Sequence, residues 1–350
     1  MKKELDSIHC DFSKIDGLER PLNCVFANRH DGKTTNFLMK KTWRRFRGQG
    51  SATTLLFRQV NDCNEGSMRY YETLMDPFLD EPLDLAIKPL GPCLVGLSKK
   101  KPIFYGVPLG MKEASLKKTA FANSPLMLFD EMEINPANGE RYLQNEAGRF
   151  KSLFGTMRKV NPDLRFYALS NPYSAYNPIL MDWGVDTRKL RLGTLQKGKN
   201  WAVWFKEMDP RLIERIRKED PLFDERSEYG RWAYGGEFAN DANNHVAPMG
   251  AGYRLSQVFV FEGQRFGAYE LADPFVDEGE PYFYFKKERD LSKRRTAFAF
   301  DFGDLIRGSV LFTRSDRDAM ARIKRSIRAQ DFACDSIETE NAFKTIYDCL

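Results

Sequence analysis

The sequence predicts an α/β domain followed by a smaller, β-rich α+β domain. Three observations predict it. Up to about residue 195, short apolar runs alternate with stretches of helical period, the pattern of a parallel sheet with helical crossovers. Two of those runs end in chemistry: residues 23–27 (NCVFA) lead to Gly32-Lys33-Thr34, and residues 126–129 (LMLF) lead to Asp130-Glu131. Beyond about residue 195 the pattern changes, and strand-like segments follow one another without helices between them.

The elements are justified in order. Residues 1–20 are polar and read as a lead-in. Residues 22–27 are a short buried strand, and 35–46 after the Gly-Lys turn are a helix with Phe37, Leu38 and Trp43 facing inward. Residues 52–59 (ATTLLFRQ) are β-branched and apolar, hence a second strand, and 67–74 are helical. Residues 93–97 and 102–109 form an antiparallel hairpin turning at Lys99, Lys100 and Lys101. Residues 126–129 are the third core strand. In 140–160, Leu143, Ala147, Phe150, Phe154 and Met157 recur at spacings of three and four, which makes a helix, and 164–169 are the fourth core strand. Asp209-Pro210 is a helix start, cap then first position, for a short basic helix reaching Pro221. Residues 227–244, rich in Gly, Asn and Tyr, read as a linker. Strands are expected at 257–261, 265–271, 281–286, 296–302 and 309–313, with helices at 317–330 and 336–349. The second domain is thus read as antiparallel first and helical last.

With 350 residues and 42% hydrophobic content the chain is long enough for two domains with real cores. No apolar run approaches the roughly 20 residues of a membrane helix, so no membrane partner is expected. The N-terminus lacks the apolar core of a secretory signal. Six scattered cysteines without CxxC spacing fit a reducing cytosol and argue against structural zinc. The formal charge of +5 permits nucleic-acid binding without demanding it.

A phosphate-binding loop needs backbone N–H groups at a helix N-terminus, a Lys for the β/γ oxygens of a triphosphate and a Ser or Thr hydroxyl for Mg²⁺. Gly32, Lys33 and Thr34 supply these between a strand and a helix. The ATP-binding stretch is therefore Ala27, Asn28, Arg29, His30, Asp31, Gly32, Lys33, Thr34 and Thr35, with Ala27 where the usual motif has its first Gly. A Gly-Lys-Thr turn alone is common; the second stretch supplies the context. Asp130 and Glu131 arrive at a strand's C-terminal end, where open α/β sheets bind ligands. Asp130, with Thr34, is placed to hold Mg²⁺ through water, and Glu131 to polarise the attacking water. At the end of the fourth strand, the Asn171 amide is placed to touch both the γ-phosphate and the catalytic Glu.

Residues 28–35 (NRHDGKTT) resemble the deviant Walker A of viral large terminases, in which an Arg, here Arg29, stands four before the Lys and the first Gly is often absent. LMLFDE resembles their Walker B with its adjacent catalytic Glu. Residues 168–178 (ALSNPYSAYNP) resemble the coupling segment of the DNA-packaging ATPases of short-tailed, picovirus-type bacteriophages. The resemblance is specific over 22–178 and only architectural beyond about 235. It implies a RecA-like ASCE P-loop ATPase domain over 1–200, a linker or lid over 201–240, and an RNase H-like, vestigial nuclease domain over 241–350 that binds nucleic acid or the portal. It implies ATP and Mg²⁺ as cofactors and a homo-oligomeric ring at a procapsid portal, in the host bacterial cytoplasm, driving double-stranded DNA inward, with a structural RNA as a further candidate partner. It also implies an Arg acting in trans on a neighbour's ATP. Arg158 best matches that place and Arg149 is the reserve.

A working nuclease needs carboxylates converging on two metals roughly 4 Å apart. Glu262, Glu270, Asp301 and Asp304 do not make a persuasive set. Candidate DNA-phosphate contacts are Arg58, Lys99, Lys100 and Lys101, and the run Arg317, Arg322, Lys324, Arg325 and Arg328. The alternatives are a terminase-like ATPase with an active metal-dependent nuclease, and a non-hydrolysing nucleic-acid-binding ring protein.

Overall fold

In the computed structural model the described residues are 3–5, 8–134, 142–143, 145–172, 177–185, 189–220, 245–261, 263–272, 281–288, 296–300, 302–313, 320–328, 332–336, 339–340 and 342–343. The linker expected at 227–244, Glu262, Asp301, Arg317, residues 173–176 of the coupling segment and most of the helix expected at 336–349 lie outside them. The chain divides into two compact units, Met1–Asp241 and Ala242–Leu350.

The first unit is built on a nine-stranded sheet. Its strands are β1 (Leu22–Phe26), β2 (Thr53–Phe57), β3 (Ala86–Leu90), β4 (Cys93–Ser98), β5 (Lys101–Pro108), β6 (Leu126–Asp130), β7 (Arg165–Ser170), β8 (Leu195–Lys197) and β9 (Trp201–Phe205), in the order β3-β4-β5-β2-β6-β7-β1-β9-β8. From β5 to β9 every neighbour is parallel, and the edge pairings β3–β4, β4–β5 and β8–β9 are antiparallel. The central strands are buried on both faces, which is why they read as continuous apolar runs rather than alternations. In β1, Cys24 and Phe26 join one apolar cluster while Val25 joins the other; in β6, Met127 and Phe129 divide from Leu126 and Leu128 in the same way.

The hairpin turns as expected, with Lys99 and Lys100 in the left-handed region at φ 48° and 66°. That geometry is the one that matches the strand twist in a two-residue turn. Helices α1 (Ser13–Asp16), α4 (Glu65–Met75), α5 (Glu113–Leu116), α6 (Glu146–Val160), α7 (Pro178–Asp182) and α8 (Pro210–Glu219) surround the sheet; α2 and α3 belong to the helix after the phosphate loop. That helix is α2 (Lys33–Phe37), a π-helical turn (Leu38–Trp43) and α3 (Arg44–Gln49) in immediate succession. Helix α6 begins six residues after the expected start at 140, because Asn145 caps it, its Oδ1 accepting from Gly148 N.

Strands β3, β8 and β9 are absent from the sequence expectation. β9 falls in the stretch 201–240 read as a linker or lid, yet it pairs in parallel with β1 from Leu22↔Trp201 to Phe26↔Phe205. The sheet of the first unit therefore extends past residue 200.

The second unit has six strands: β10 (Tyr253–Phe261), β11 (Gln264–Leu271), β12 (Phe283–Glu288), β13 (Ala297–Ala299), β14 (Ser309–Leu311) and β15 (Phe332–Cys334), in the order β14-β13-β10-β11-β12-β15. The first three are antiparallel in chain order, as expected. β13 joins β10, β14 joins β13 and β15 joins β12 in parallel, so the later half departs from a purely antiparallel reading. A short helix, α9 (Ala321–Arg328), sends Ile323 and Ile327 into a core of Phe259, Phe266, Phe283, Phe285 and Phe343. No helix among the described residues is long and apolar enough to cross a membrane.

Candidate active site at the strand ends

Register brings the separate motifs together. Phe26 at the end of β1 lies beside Ser170 at the end of β7 and Phe205 at the end of β9, and Asp130 at the end of β6 lies beside Leu169. The loop after β1, Asn171, Lys206 and the Asp130-Glu131 pair consequently share the C-terminal edge of the sheet.

The loop is pinned at its base, where Ala27 N donates to Ser170 O at 3.1 Å and Lys206 N to Phe26 O at 2.8 Å. It closes through His30 (φ 68°) and Gly32 (φ 64°) in the left-handed region. Gly32 has a second reason to lack a side chain: a Cβ there would stand 2.8 Å from the His9 ring. Cys10 N donates to Asp31 O at 2.8 Å, so the lead-in read as merely polar straps the loop from outside.

Lys33 is buried, and its Nζ donates to Asn171 Oδ1 at 2.5 Å and to Ala27 O at 3.4 Å. Burial lowers its pKa from the ordinary lysine value. Phosphate oxygens entering the loop compete with these two neutral acceptors for the ammonium protons, and charge favours the phosphate. Thr34 Oγ1 donates to Asp130 Oδ1 at 3.0 Å. Burial raises the Asp130 carboxyl to about 6, with Glu131 adding to the rise and Lys33 opposing it. A hydroxyl and a carboxylate at contact are hard oxygen donors of the kind that Mg²⁺ takes along with substrate phosphates and water, so the pair fits that ion.

Glu131 is an exposed residue at φ 55°, a strained conformation for a side chain with a Cβ, costing roughly 1–2 kcal/mol. It is fixed from both sides: Asp130 is paired in the sheet, Met132 N donates to Leu169 O at 3.2 Å, and Glu133 N to Ser170 Oγ at 2.9 Å. The turn lifts Glu131 out of the strand beside a cleft of about 700 Å³ lined by Arg58, Asp62, Ser67, Tyr70, Phe129 and Asp130 among others.

Several site residues behave differently from the sequence reading. Asp31 does not present its carboxylate as an ATP contact. It is buried in an ion pair with Lys206 at 2.9 Å, and burial raises its pKa to about 6 against the pull of Lys206. Lys206, which sequence reasoning missed, also donates to Glu207 O at 2.9 Å. The only trace of it in the sequence is a cation directly after an apolar run, WAVWF. Asn171, expected against the γ-phosphate and Glu131, has its Oδ1 turned to Lys33 Nζ instead, and no hydrogen bond among the described residues joins it to Glu131. Asn28 is buried, Arg29 and His30 are exposed at the loop's crest, and Thr35 is half-buried in the helix's first turn. His30 Nε2 lies 3.7 Å from Asp220, and burial lowers its pKa.

Arg58, read as a DNA-phosphate candidate, is committed to a buried ion pair. Its Nε lies 3.0 Å from Glu146 Oε2 and 3.2 Å from Oε1, its other nitrogen bonds Met132 O, and Phe129 and Tyr142 flank it at 5.1 and 5.3 Å. With Glu146 fully buried, the pair ties β2 to the start of α6. Lys99 pairs with Glu81 at 2.7 Å at the exposed hairpin tip, beside exposed Lys100 and Lys101. Arg158 is exposed at the end of α6, where it donates to Pro162 O at 2.9 Å, whereas the reserve Arg149 is committed to Met111 O at 2.9 Å. In the second unit Glu270 pairs with Arg322 at 2.8 Å and accepts from Tyr282 at 2.5 Å, and Asp304 accepts from Gly263 N at 3.1 Å.

No family model matches the chain. The DNA packaging protein of Bacillus phage B103 is 23% identical over 296 residues, covering 84% of this chain and 85% of that protein. Among solved structures, a chain of the bacteriophage Phi-29 viral genome packaging motor assembly superposes with a TM-score of 0.63 at 18% identity, over 98% of this chain and 99% of that one. A chain of the Phi-28 gp11 DNA packaging motor gives 0.60 at 16% identity, over 97% of both. The resemblance read from residues 22–178 therefore extends, as fold, over nearly the whole chain.

Proposed function

We propose that this chain, which shares its fold with phage DNA-packaging motor proteins, is an ATP-driven motor that moves double-stranded DNA into a viral procapsid. The observation that carries the reading is the meeting of Lys33, Thr34, Asp130, Glu131 and Asn171 on one sheet edge, held there by strand register. Lys33 and the loop amides bind the β/γ phosphates. Thr34 and Asp130 would hold Mg²⁺, which would supply charge neutralisation on the phosphates. Glu131 takes the proton side of the attacking water, and its fixed turn keeps the carboxylate pointed into the cleft. When phosphate draws Lys33 away, Asn171 Oδ1 loses its donor, so β7 registers whether the loop is filled.

Of the described arginines near the loop, Arg215 is turned to His9 at 3.2 Å and Arg58, which lines the cleft, is held by Glu146. Arg158, exposed at the far end of α6, is the residue we assign to a neighbour's ATP, which makes the working form a ring. The portal is its seat, double-stranded DNA its cargo and the host cytoplasm its setting.

The test is ATP hydrolysis by the purified chain with and without duplex DNA. Lys33→Ala is expected to weaken nucleotide binding. Glu131→Gln is expected to keep binding and lose turnover by about 10²-fold or more. Turnover by Glu131→Gln at near the wild-type rate would overturn the assignment of the base, and no hydrolysis by the wild type would overturn the motor reading.

A further inference from the structure

The helix that begins with the phosphate-gripping Lys33 ends in a second feature. At the opposite edge of the sheet, where β6 and β7 begin, a cleft of about 630 Å³ is lined by Lys40, Lys41, Arg44, Arg45 and Arg165, with Asp16 as its one carboxylate. The π-helical turn and α3 bring Lys40, Lys41, Arg44 and Arg45, all within six consecutive residues, to this one cleft. π-helical turns within longer helices occur often at functional sites.

Asp16 does not neutralise the set. Its two oxygens are taken by Lys41 Nζ at 2.5 Å and by Tyr167 OH at 2.6 Å, and Lys41 lies over the Tyr167 ring at 4.6 Å, so this trio forms the floor. Lys40, Arg44 and Arg45 make the rim, and Arg165, hydrogen-bonded to Tyr167, adds its charge from β7. Lys40 reaches Asp11 only at 4.0 Å, and no ion pair among the described residues engages the three arginines. A helix C-terminus favours cations, but its dipole amounts to about half a negative charge, well short of four. Like charges one turn apart also repel, so the rim is built at a cost that an anion would remove.

The rim is an open ridge of side-chain cations. It has no backbone nest and no helix N-terminus, which a bound mononucleotide would use. Spaced cations on a ridge suit several phosphates in a row. We propose that this cleft grips consecutive phosphates of a nucleic-acid backbone. The inference rests on the motor reading and adds to it a place, on the helix that also carries Lys33, where that chain is held.

The experiment uses the full chain and measures binding of labelled duplex DNA and duplex RNA, each titrated against salt. Variants are Arg44→Glu/Arg45→Glu, and Arg44→Gln/Arg45→Gln as a milder pair should the first fold poorly. Nucleotide affinity without nucleic acid serves as the control and is expected to stay at the wild-type value. Removing two phosphate contacts is expected to lower duplex affinity about tenfold or more in low salt and to reduce the slope of log affinity against log salt by about 2. Loss on DNA alone assigns the cleft to the cargo, loss on RNA alone to a scaffold, and loss on both to any phosphodiester chain. Unchanged affinity and slope for both duplexes, with wild-type binding intact, would overturn the cleft and leave the motor reading standing. Absence of any nucleic-acid binding by the wild type would overturn both.

Discussion

Replacing Lys206 by Met tests whether the buried pair with Asp31 holds the phosphate loop. The magnitude follows from where the Asp31 proton goes. Its carboxyl titrates at about 6 in the folded chain against an ordinary 3.8, so ionised Asp31 costs the wild type about 3 kcal/mol even beside Lys206. Without Lys206 the folded pKa climbs above neutrality, and at pH 7.5 the buried carboxyl takes up a proton instead of standing as a bare charge. Protonation caps the cost at about 5 kcal/mol, so the substitution destabilises by up to about 2 kcal/mol at that pH, less than the roughly 3–5 kcal/mol typical of a broken buried pair. The sign with pH is fixed. A raised carboxylate pKa means that the folded state binds the proton more tightly, so stability falls as pH rises from the unfolded to the folded pKa. In the wild type that fall ends at about 6; in Lys206→Met it continues through neutral pH. The difference is therefore absent at pH 5.5 and grows by about 1.4 kcal/mol per unit above 6 until the new pKa is reached. Urea unfolding followed by tryptophan fluorescence reads it, because the described tryptophans (43, 183, 201 and 204) lie in the first unit and the sequence from 242 on has none. Nucleotide affinity is expected to weaken over the same pH range. A loss of stability equal at pH 5.5 and 7.5 would refute the reasoning, reducing Lys206 to a space-filler, and so would no loss at either.

Two further outcomes follow from the corrected site. Arg58→Ala is expected to destabilise the first unit by about 3–5 kcal/mol, because Glu146 is left buried without its partner, and to leave the salt dependence of DNA binding unchanged; a weaker salt slope at undiminished stability would restore Arg58 to the DNA surface. Arg158→Ala is expected to bind ATP normally and hydrolyse it about 10³-fold more slowly, with partial recovery on mixing with Glu131→Gln subunits; specific activity that is flat on dilution and recovers in no mixture would leave Arg158 as an ordinary helix-end arginine.

The parts of the site that were legible are those whose chemistry and local geometry coincide. Gly32-Lys33-Thr34 and Asp130-Glu131 each sit at a strand end that the sequence itself announces, and Asn171 ends a strand of the same kind. What was not legible arises from pairing between distant segments. Lys206 matters only because β9 lies beside β1, and WAVWF, buried on both faces, has no alternation to mark it. Arg58 follows a strand and looks like a surface charge until Glu146 arrives from α6. In the second unit, β13, β14 and β15 are three residues each, too short for a sequence pattern to fix their direction.

The central place of β1 bears on how the chain is made. Its neighbours on either side are β7 and β9, which begin at Arg165 and Trp201. During synthesis the loop residues emerge early, yet the two strands that flank β1, and the lysine that anchors Asp31, emerge more than 130 residues later. Such non-local parallel pairing is slow, since loop closure precedes any return in contacts. A growing chain that has not passed residue 206 carries the phosphate-binding sequence without a phosphate-binding site. Ribosome-bound chains stopped before that point would thus be blind to nucleotide and would gain the site in one step, as β9 slots into the sheet.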